Sequence, residues 1–374
     1  CGDIRNISDR ISASSRVVIK IGSALITDET SGAARREWLC ALAGDIAALK
    51  QHGKEIVIVS SGAIALGRSA LDISAQTAPA DIPLDQKQAA ASVGQIGLIQ
   101  AFHETFAGSG LKIAQILLSP HDTENRRAHL NARATMGALL DRGIIPVINE
   151  NDTVSTEEIR FGDNDRLAAR VAQMIEADLV MLLSSVDGLY SGNPDKAPDA
   201  RHIPFVEKID DAISAMAGDA PEGISTGGMT SKLEAAQMAT QAGAAMVIAD
   251  GRRLSPIGAL LGGAAKCTWF TPAESKQNAR KRWIRAHVNP SGEIMIDDGA
   301  ITALRNGKSL LPIGIVKITG DFARGDAVAI TGQEGHKIAI GLVAFNSDEA
   351  KRIAGLKSHE LEPILGYAGR SEMI

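Results

Sequence analysis

"VVIKIG" (17–22) is an apolar run broken by one lysine and closed by a glycine, and several further runs share its plan. They are "EIVIVSS" (55–61), "KIAQILLS" (112–119), "IIPVINE" (144–150), "DLVMLLSS" (178–185) and "AAMVIAD" (244–250). Each is nearly continuous in apolar residues rather than alternating, the pattern of parallel strands buried on both faces. Between them, Val93, Ile96, Ile99, Phe102 and Phe106 fall three or four residues apart, as do Leu167, Val171 and Met174. That spacing marks amphipathic helices. Strand and helix in alternation predict an α/β domain over 16–270: an open, mainly parallel sheet with helices on both faces.

The pattern changes after a polar connector, "TPAESKQNARKRW" (271–283). From 284 to 374 the segments are short and β-like, punctuated by "NPSGE", "DDG", "RNGKS", "TGDFARGD" and "TGQEGHK". They predict a small β-rich second domain. A chain of 374 residues is in any case longer than one core supports.

Bulk properties exclude several functions. Hydrophobic content of 45% and charged content of 22% are those of a soluble globular protein. A net charge of −5 does not attract nucleic acid or anionic membrane. No apolar run approaches the ~20 residues that cross a bilayer, and the polar start lacks the apolar core of a signal peptide. Cys1, Cys40 and Cys267 lie far apart, without metal spacing, so a cytoplasmic location and no disulfide framework are expected.

In open α/β sheets ligands bind at the carboxyl ends of strands, and polar clusters sit at several such ends. Lys20 interrupts a strand and must reach water, a carboxylate or a ligand, because an unpaired buried ammonium is very costly. Gly22 and Ser23 follow at the strand exit. Ser60, Ser61, Gly62 and Ala63 span a second strand end and a helix start, which suits either an anion or a plain serine cap. The densest polar stretch is "VINENDTVSTEEIRFGDNDRLAARVAQ" (147–173). Asn149, Glu150, Asn151 and Asp152 leave a strand there, and Asp163, Asn164 and Asp165 open a helix. Acids in a first helical turn can be simple capping. Two such groups around one loop exceed that need and suit a zwitterionic or metal-bound substrate.

"GISTGGMTSKLEAAQ" (223–237) carries paired glycines before a helix. It is not a Walker A loop, since Gly228 is followed by Met229 and the lysine comes at 232. Ser231 and Glu234 match a capping box. Lys232 then falls in the first turn, where the helix dipole disfavours a cation unless an anion sits between. "LLSSVDGLYSGNP" (182–194) is an ordinary loop or a place for a nucleotide base or ribose.

In this order the pieces resemble the glutamate 5-kinases, a branch of the amino acid kinase family, across essentially the whole chain. The likeness rests on "KIGSALI", "IVIVSSGAIALG", "SVGQIGLIQ", "LNARATMGALLDRGIIPVINENDTV", "FGDNDRLAARVA", "DGLY", "GISTGGMTSKLEAA" and "KRWI". The tail "SLLPIGIVKITGDFARGDAVAI…NSDEAKRIAG…ILGY" is similar to a PUA domain. The resemblance implies ATP-dependent phosphorylation of the γ-carboxylate of L-glutamate, with Mg²⁺, as the first step of proline biosynthesis. It implies catalytic Lys20 and Lys232, with Asp165 holding both. It implies an ATP site of Lys20, Gly22, Ser184, Ser185 and the loop Thr226, Gly227, Gly228, Met229, Thr230, Ser231 and Lys232. The acceptor site would comprise Ser61, Gly62, Asn149, Asp152 and Asn164, with no protein metal site. Where the family often has Thr-Asp, this chain has Ser184-Ser185, so the carboxylate at 185 is absent. Proline as feedback inhibitor, hand-over to a γ-glutamyl phosphate reductase and a homo-oligomer are further implications.

Two alternatives stay open at this level. One is another kinase of the family, acting on N-acetylglutamate, aspartate or UMP. The other is an RNA-binding protein working through the PUA-like tail. Residues 281–374 carry 12 Lys and Arg against 11 Asp and Glu, which is no basic footprint for RNA.

Overall fold

The computed structural model describes residues 5–28, 31–74, 77–78, 81–154, 164–194, 196–197, 199–217, 228–273, 275–276, 278, 290–367 and 371–374. Every apolar run becomes a strand. These are β1 (Arg16–Ile21), β2 (Glu55–Ser60), β3 (Ile113–Leu118), β4 (Ile145–Glu150) and β5 (Leu179–Ser184). After them come three two-residue strands: β6 (Leu189–Tyr190), β7 (His202–Ile203) and β8 (Phe205–Val206). The last run forms β9 (Ala245–Asp250), followed by β10 (Cys267–Phe270). The eight-stranded sheet has the order β3-β4-β2-β1-β5-β9-β10-β8. All its pairings are parallel except β9 with β10.

The helices of this part are α1 (Arg5–Ala13), α2 (Ser23–Ile26), α3 (Arg36–Gln51), α4 (Ala63–Gly67), α5 (Leu84–Ala107) and α6 (Pro120–Glu124). They continue as α7 (Arg126–Leu140), α8 (Asn164–Met174), α9 (Asp211–Ala215), α10 (Met229–Gln241) and α11 (Pro256–Leu261). Strand alternation divides the core in two. Val17, Ile19, Ile21, Ile58, Met181 and Val247 face α1, α3, α5 and α11. Val18, Val57, Val59, Val180, Leu182 and Ile248 face α7, α8 and α10. Lys20 shares the parity of Val18, so it lies on the face covered by α8 and α10.

The chain leaves β1 toward β2 and leaves β5 toward β9, in opposite directions along the sheet. The topological switch point, where open α/β sheets bind ligands, therefore lies between β1 and β5.

The helical spacing in α5 identifies the helix but not its buried stripe. Phe102 and Phe106 are buried, whereas Val93 is 44% and Ile96 is 68% exposed. The buried line instead runs through Ala90, Ala91, Gly94 and Leu98. The cause is a close crossing with α4. A Cβ on Gly94 would stand 1.8 Å from the Ala63 carbonyl oxygen, and one on Gly67 would stand 1.9 Å from that of Ala90. Only glycines allow two backbones this near.

At the amino ends of the two central strands, β1 and β5, Asp178 ties strand starts together. Its Oδ2 accepts from the backbone N–H of Ser15 at 2.8 Å and of Arg16 at 2.7 Å, and its Oδ1 pairs with Lys276. Burial pushes this carboxyl up, but the Lys276 bond and the two backbone donors outweigh it, so it titrates below its ordinary 3.8. A carboxyl depressed in the folded state contributes stability that is whole above its unfolded value and fades as pH falls through the folded one. Asp178→Asn should therefore lower the urea midpoint at about pH 7 and make progressively less difference below about pH 4. A loss of the same size at both ends of that range would contradict this account.

By internal packing the chain forms two compact units: Cys1–Thr123 with Ala132–Ala279, and Glu124–Asn131 with Arg280–Ile374. The second contains a four-stranded sheet of β11 (Gly292–Ile296), β12 (Ile315–Gly320), β13 (Ala327–Gly332) and β14 (Lys337–Leu342), in the order β12-β11-β13-β14. It also holds α12 (Asp298–Arg305), α13 (Ser347–Ile353) and α14 (Leu361–Leu365). "DDG", a turn signal in the sequence, is instead a helix start: Asp297 caps α12 by accepting from the Ala300 N–H at 2.7 Å. "RNGKS", "TGDFARGD" and "TGQEGHK" hold as turns, with Gly307, Gly320, Gly325 and Gly335 all at positive φ. Gly292 of "NPSGE", by contrast, already opens β11, and Asn289 lies outside the described residues. We retain 16–270, 271–283 and 284–374 as proposed domain limits.

Candidate active site

Three charged side chains from separate elements meet beside the switch point. Lys20 comes from β1, Asp165 from the first turn of α8 and Lys232 from the first turn of α10. Asp165 Oδ1 lies 2.5 Å from Lys20 Nζ, and its Oδ2 lies 3.1 Å from Lys232 Nζ. The residues are 6%, 0% and 4% exposed, respectively. Burial at this level makes pairing obligatory, since each charge has left water. The α8 dipole adds favourable potential for the carboxylate in its first turn. Two ammoniums on one carboxylate leave the trio one charge positive, which suits an incoming anion.

The capping box expected at Ser231 and Glu234 does not form. α10 starts earlier, after Gly228, which has no side chain to cap with. Ser231 thus lies inside the first turn, its Oγ 3.5 Å from Asp165 Oδ2. Glu234 turns away to Arg166, which donates through Nε at 2.7 Å. The first helical bond runs from the Lys232 N–H to the Gly228 carbonyl at 3.3 Å. The N–H groups of Met229, Thr230 and Ser231 precede it and have no partner within the helix. Thr226, Gly227 and Asp163 lie outside the described residues.

A second group, uncharged, adjoins Asp165 in sequence. Asn164 Nδ2 donates to the Ser60 carbonyl at 2.5 Å, to Ser61 Oγ at 3.0 Å and to Asn149 Oδ1 at 2.9 Å. The Asn149 amide then donates to Gln95 Oε1 at 2.8 Å. Strand parity explains the last contact, because Asn149 shares the face of Val147, which α5 covers. Gly62 has φ 104°, a left-handed conformation that turns the chain from β2 into α4. Asp152 is half-buried in the turn after β4. The structure thus gathers Ser61, Asn149 and Asn164 directly and Gly62 through its loop, while Asp152 stands in the adjoining turn.

The remaining ATP-site candidates lie at the carboxyl ends of β1 and β5. The Gly22 N–H donates to the Leu183 carbonyl at 3.3 Å, which joins these strand ends. Ser184 is half-buried opposite Asp250 of β9, and Ser185 is exposed. Tyr190 donates to Asp187 at 3.1 Å. Among the described residues, no cluster of three or more His, Cys, Asp or Glu could hold a metal ion. Gln95 falls within "SVGQIGLIQ", but nothing local gives it a role different from any glutamine on a helix. Only the pairing of β4 with α5 reveals its partner.

A doubly covered, mainly parallel sheet with two buried lysines at its switch point has the fold and the charge to receive an anionic ligand. Residues 15–250 match the amino acid kinase family and residues 292–365 match the PUA domain. A glutamate 5-kinase of Ruegeria sp. (strain TM1040) is 52% identical over 97% of this chain and 97% of its own length. Glutamate 5-kinase 1 of Rhizobium meliloti (strain 1021) is 53% identical over 96% of this chain and 90% of its own. The chain belongs to the amino acid kinase family.

Proposed function

We infer that this protein transfers the γ-phosphoryl group of ATP to the γ-carboxylate of L-glutamate. The product is L-glutamyl 5-phosphate, and the reaction is the first step of proline biosynthesis. The observation that carries the reading is the buried Lys20–Asp165–Lys232 trio beside the Ser61–Asn149–Asn164 group. The full-length similarity to glutamate 5-kinases supports the same substrate.

With a reference pKa of ~4.3, the acceptor carboxylate is already ionised at neutral pH, so no general base is required. The barrier is repulsion between that carboxylate and a triphosphate. Catalysis reduces to alignment and neutralisation of charge, as in other phosphoryl transfers. Lys20 and Lys232 supply the positive charge around the moving phosphoryl group, and Asp165 fixes where both stand. The backbone N–H groups at the start of α10 and at Gly62 add donors, whereas the Gly22 N–H is already given to the Leu183 carbonyl. Ser184, Ser185 and the 226–232 loop form the nucleotide side.

On the acceptor side, Ser61 and Asn164 contact the glutamate carboxylates and Asp152 receives its ammonium. Mg²⁺ held by the nucleotide would neutralise phosphate charge. Such an ion takes its oxygens largely from phosphates and water. Proline carries the same α-carboxylate and ammonium as glutamate, which supports feedback at this site. The acyl phosphate hydrolyses readily, which supports direct delivery to a reductase. No helix among the described residues is long and apolar enough to cross a membrane. We retain a cytoplasmic location and a homo-oligomer as part of the proposal.

The test is ATP-dependent hydroxamate formation with glutamate, N-acetylglutamate and aspartate in parallel, each with and without proline. Glutamate alone should turn over at a substantial rate. Turnover of N-acetylglutamate without glutamate would reassign the substrate.

A further inference from the structure

We propose that Gln95 is a positioning residue for the acceptor site, holding Asn149 in the Asn149–Asn164–Ser61 group through the hydrogen bond it accepts. The inference rests on the functional reading above. An asparagine amide presents a donor on one side and an acceptor on the other. Asn149, 4% exposed at the end of β4, cannot leave either side to bulk water. Its Nδ2 donates to Gln95 Oε1 at 2.8 Å, so its Oδ1 is left to receive Asn164 Nδ2 at 2.9 Å. Were the Asn149 amide reversed, two NH₂ groups would face each other. The Ser60 carbonyl fixes Asn164 Nδ2 as a donor, so Asn149 meets it with Oδ1 and turns Nδ2 toward α5, where the acceptor on Gln95 satisfies it.

Asn164 Nδ2 has two hydrogens and three acceptors, the Ser60 carbonyl at 2.5 Å, Asn149 Oδ1 at 2.9 Å and Ser61 Oγ at 3.0 Å, so at least two of them share a hydrogen. A hydroxyl that accepts keeps its own hydrogen for another partner, and a substrate carboxylate is such an acceptor. Gln95 thus keeps Asn149, and with it the Asn164 amide beside Ser61, in the place from which the Ser61 O–H can donate to an anion.

Gln95 is also placed rigidly. It follows Gly94, whose contact with the Ala63 carbonyl oxygen, together with that of Gly67 on Ala90, locks α5 onto α4. α4 begins directly after Ser61 and Gly62. The two ends of the hydrogen-bond chain, Gln95 and Ser61, are therefore anchored to one pair of interlocked helices.

The experiment compares the unaltered full-length protein with Q95M and Q95E. Methionine matches glutamine in length and helix preference but accepts poorly. Glutamate keeps an acceptor at the same point. KM for glutamate, KM for ATP, kcat and the thermal midpoint are measured for each. Q95M should raise KM for glutamate about tenfold, with KM for ATP and the midpoint little changed, whereas Q95E should stay within about threefold of native. In an Asn149→Ala background, Q95M should add nothing further.

A native KM in folded Q95M would overturn the proposal, as would equal impairment of Q95M and Q95E or additivity with Asn149→Ala. Those results leave the kinase reading intact, because the unaltered protein turns glutamate over in the same assay. Absence of turnover in the unaltered protein removes both.

Discussion

Lys232→Met and Lys20→Met each lower kcat by about 10²–10³-fold while KM for glutamate moves by no more than about threefold. Methionine keeps the length of the lysine stem, so the cavity stays filled and only the ammonium is removed. The trio goes from one positive charge in excess to electrically neutral. Asp165 retains a partner in either variant, at 2.5 Å from Lys20 or 3.1 Å from Lys232. Folding therefore survives, and the loss appears where positive charge is needed most, on the phosphoryl group in flight. An interaction realised only in the transition state lowers kcat and kcat/KM together, which is the signature to seek. Because both lysines are organised by one carboxylate, the double variant should lose much less than the product of the two single losses. Steady-state kinetics of the three variants measure this. Near-native kcat in both single variants would remove the two-lysine mechanism.

The strands and the face of the sheet carrying the site were legible because burial on both sides leaves a simple mark. "VVIKIG" shows one charge in an apolar run, and parity alone assigns Lys20 to the face that also holds Val18. What the sequence could not show was tertiary. Ser231 and Glu234 have the spacing of a capping box, but a local motif competes with alternatives its residues find only after folding. Ser231 approaches Asp165 and Glu234 pairs with Arg166. Val93 and Ile96 look like core positions by spacing, yet the glycine crossing of α4 and α5 rotates the buried line onto smaller residues. β8 and β10 are too short to stand out as runs. Gln95 is silent in the sequence because its partner lies far along the chain, and the bridge at Asp165 was legible only through the family resemblance, for the same reason.

Asp165→Ala tests the other half of the site. The carboxylate is fully buried, and its loss leaves two buried ammoniums that no longer share a counter-charge. Breaking a buried pair by deleting one partner typically costs about 3–5 kcal/mol. For a domain of this size that corresponds to a thermal midpoint lowered by about 10 °C. Asp165→Asn keeps the shape and one acceptor oxygen, so its loss should be smaller, although kcat should still fall because neither lysine is held by charge.

The two variants also report whether the site is built for phosphate. An anion that binds the folded state alone stabilises it by RT ln(1 + [L]/Kd), so inorganic phosphate or sulfate should restore much of the lost midpoint in Asp165→Ala. The same salts should raise the native midpoint less, because Asp165 already neutralises part of the charge and repels an added anion. Chloride at equal ionic strength controls for screening. Thermal scans of native and variant protein across a phosphate series read the effect directly. A native midpoint and native kcat in Asp165→Ala would mean that the bridge carries neither stability nor catalysis. A lowered midpoint that phosphate fails to recover would mean that the excess positive charge faces something other than a phosphoryl group.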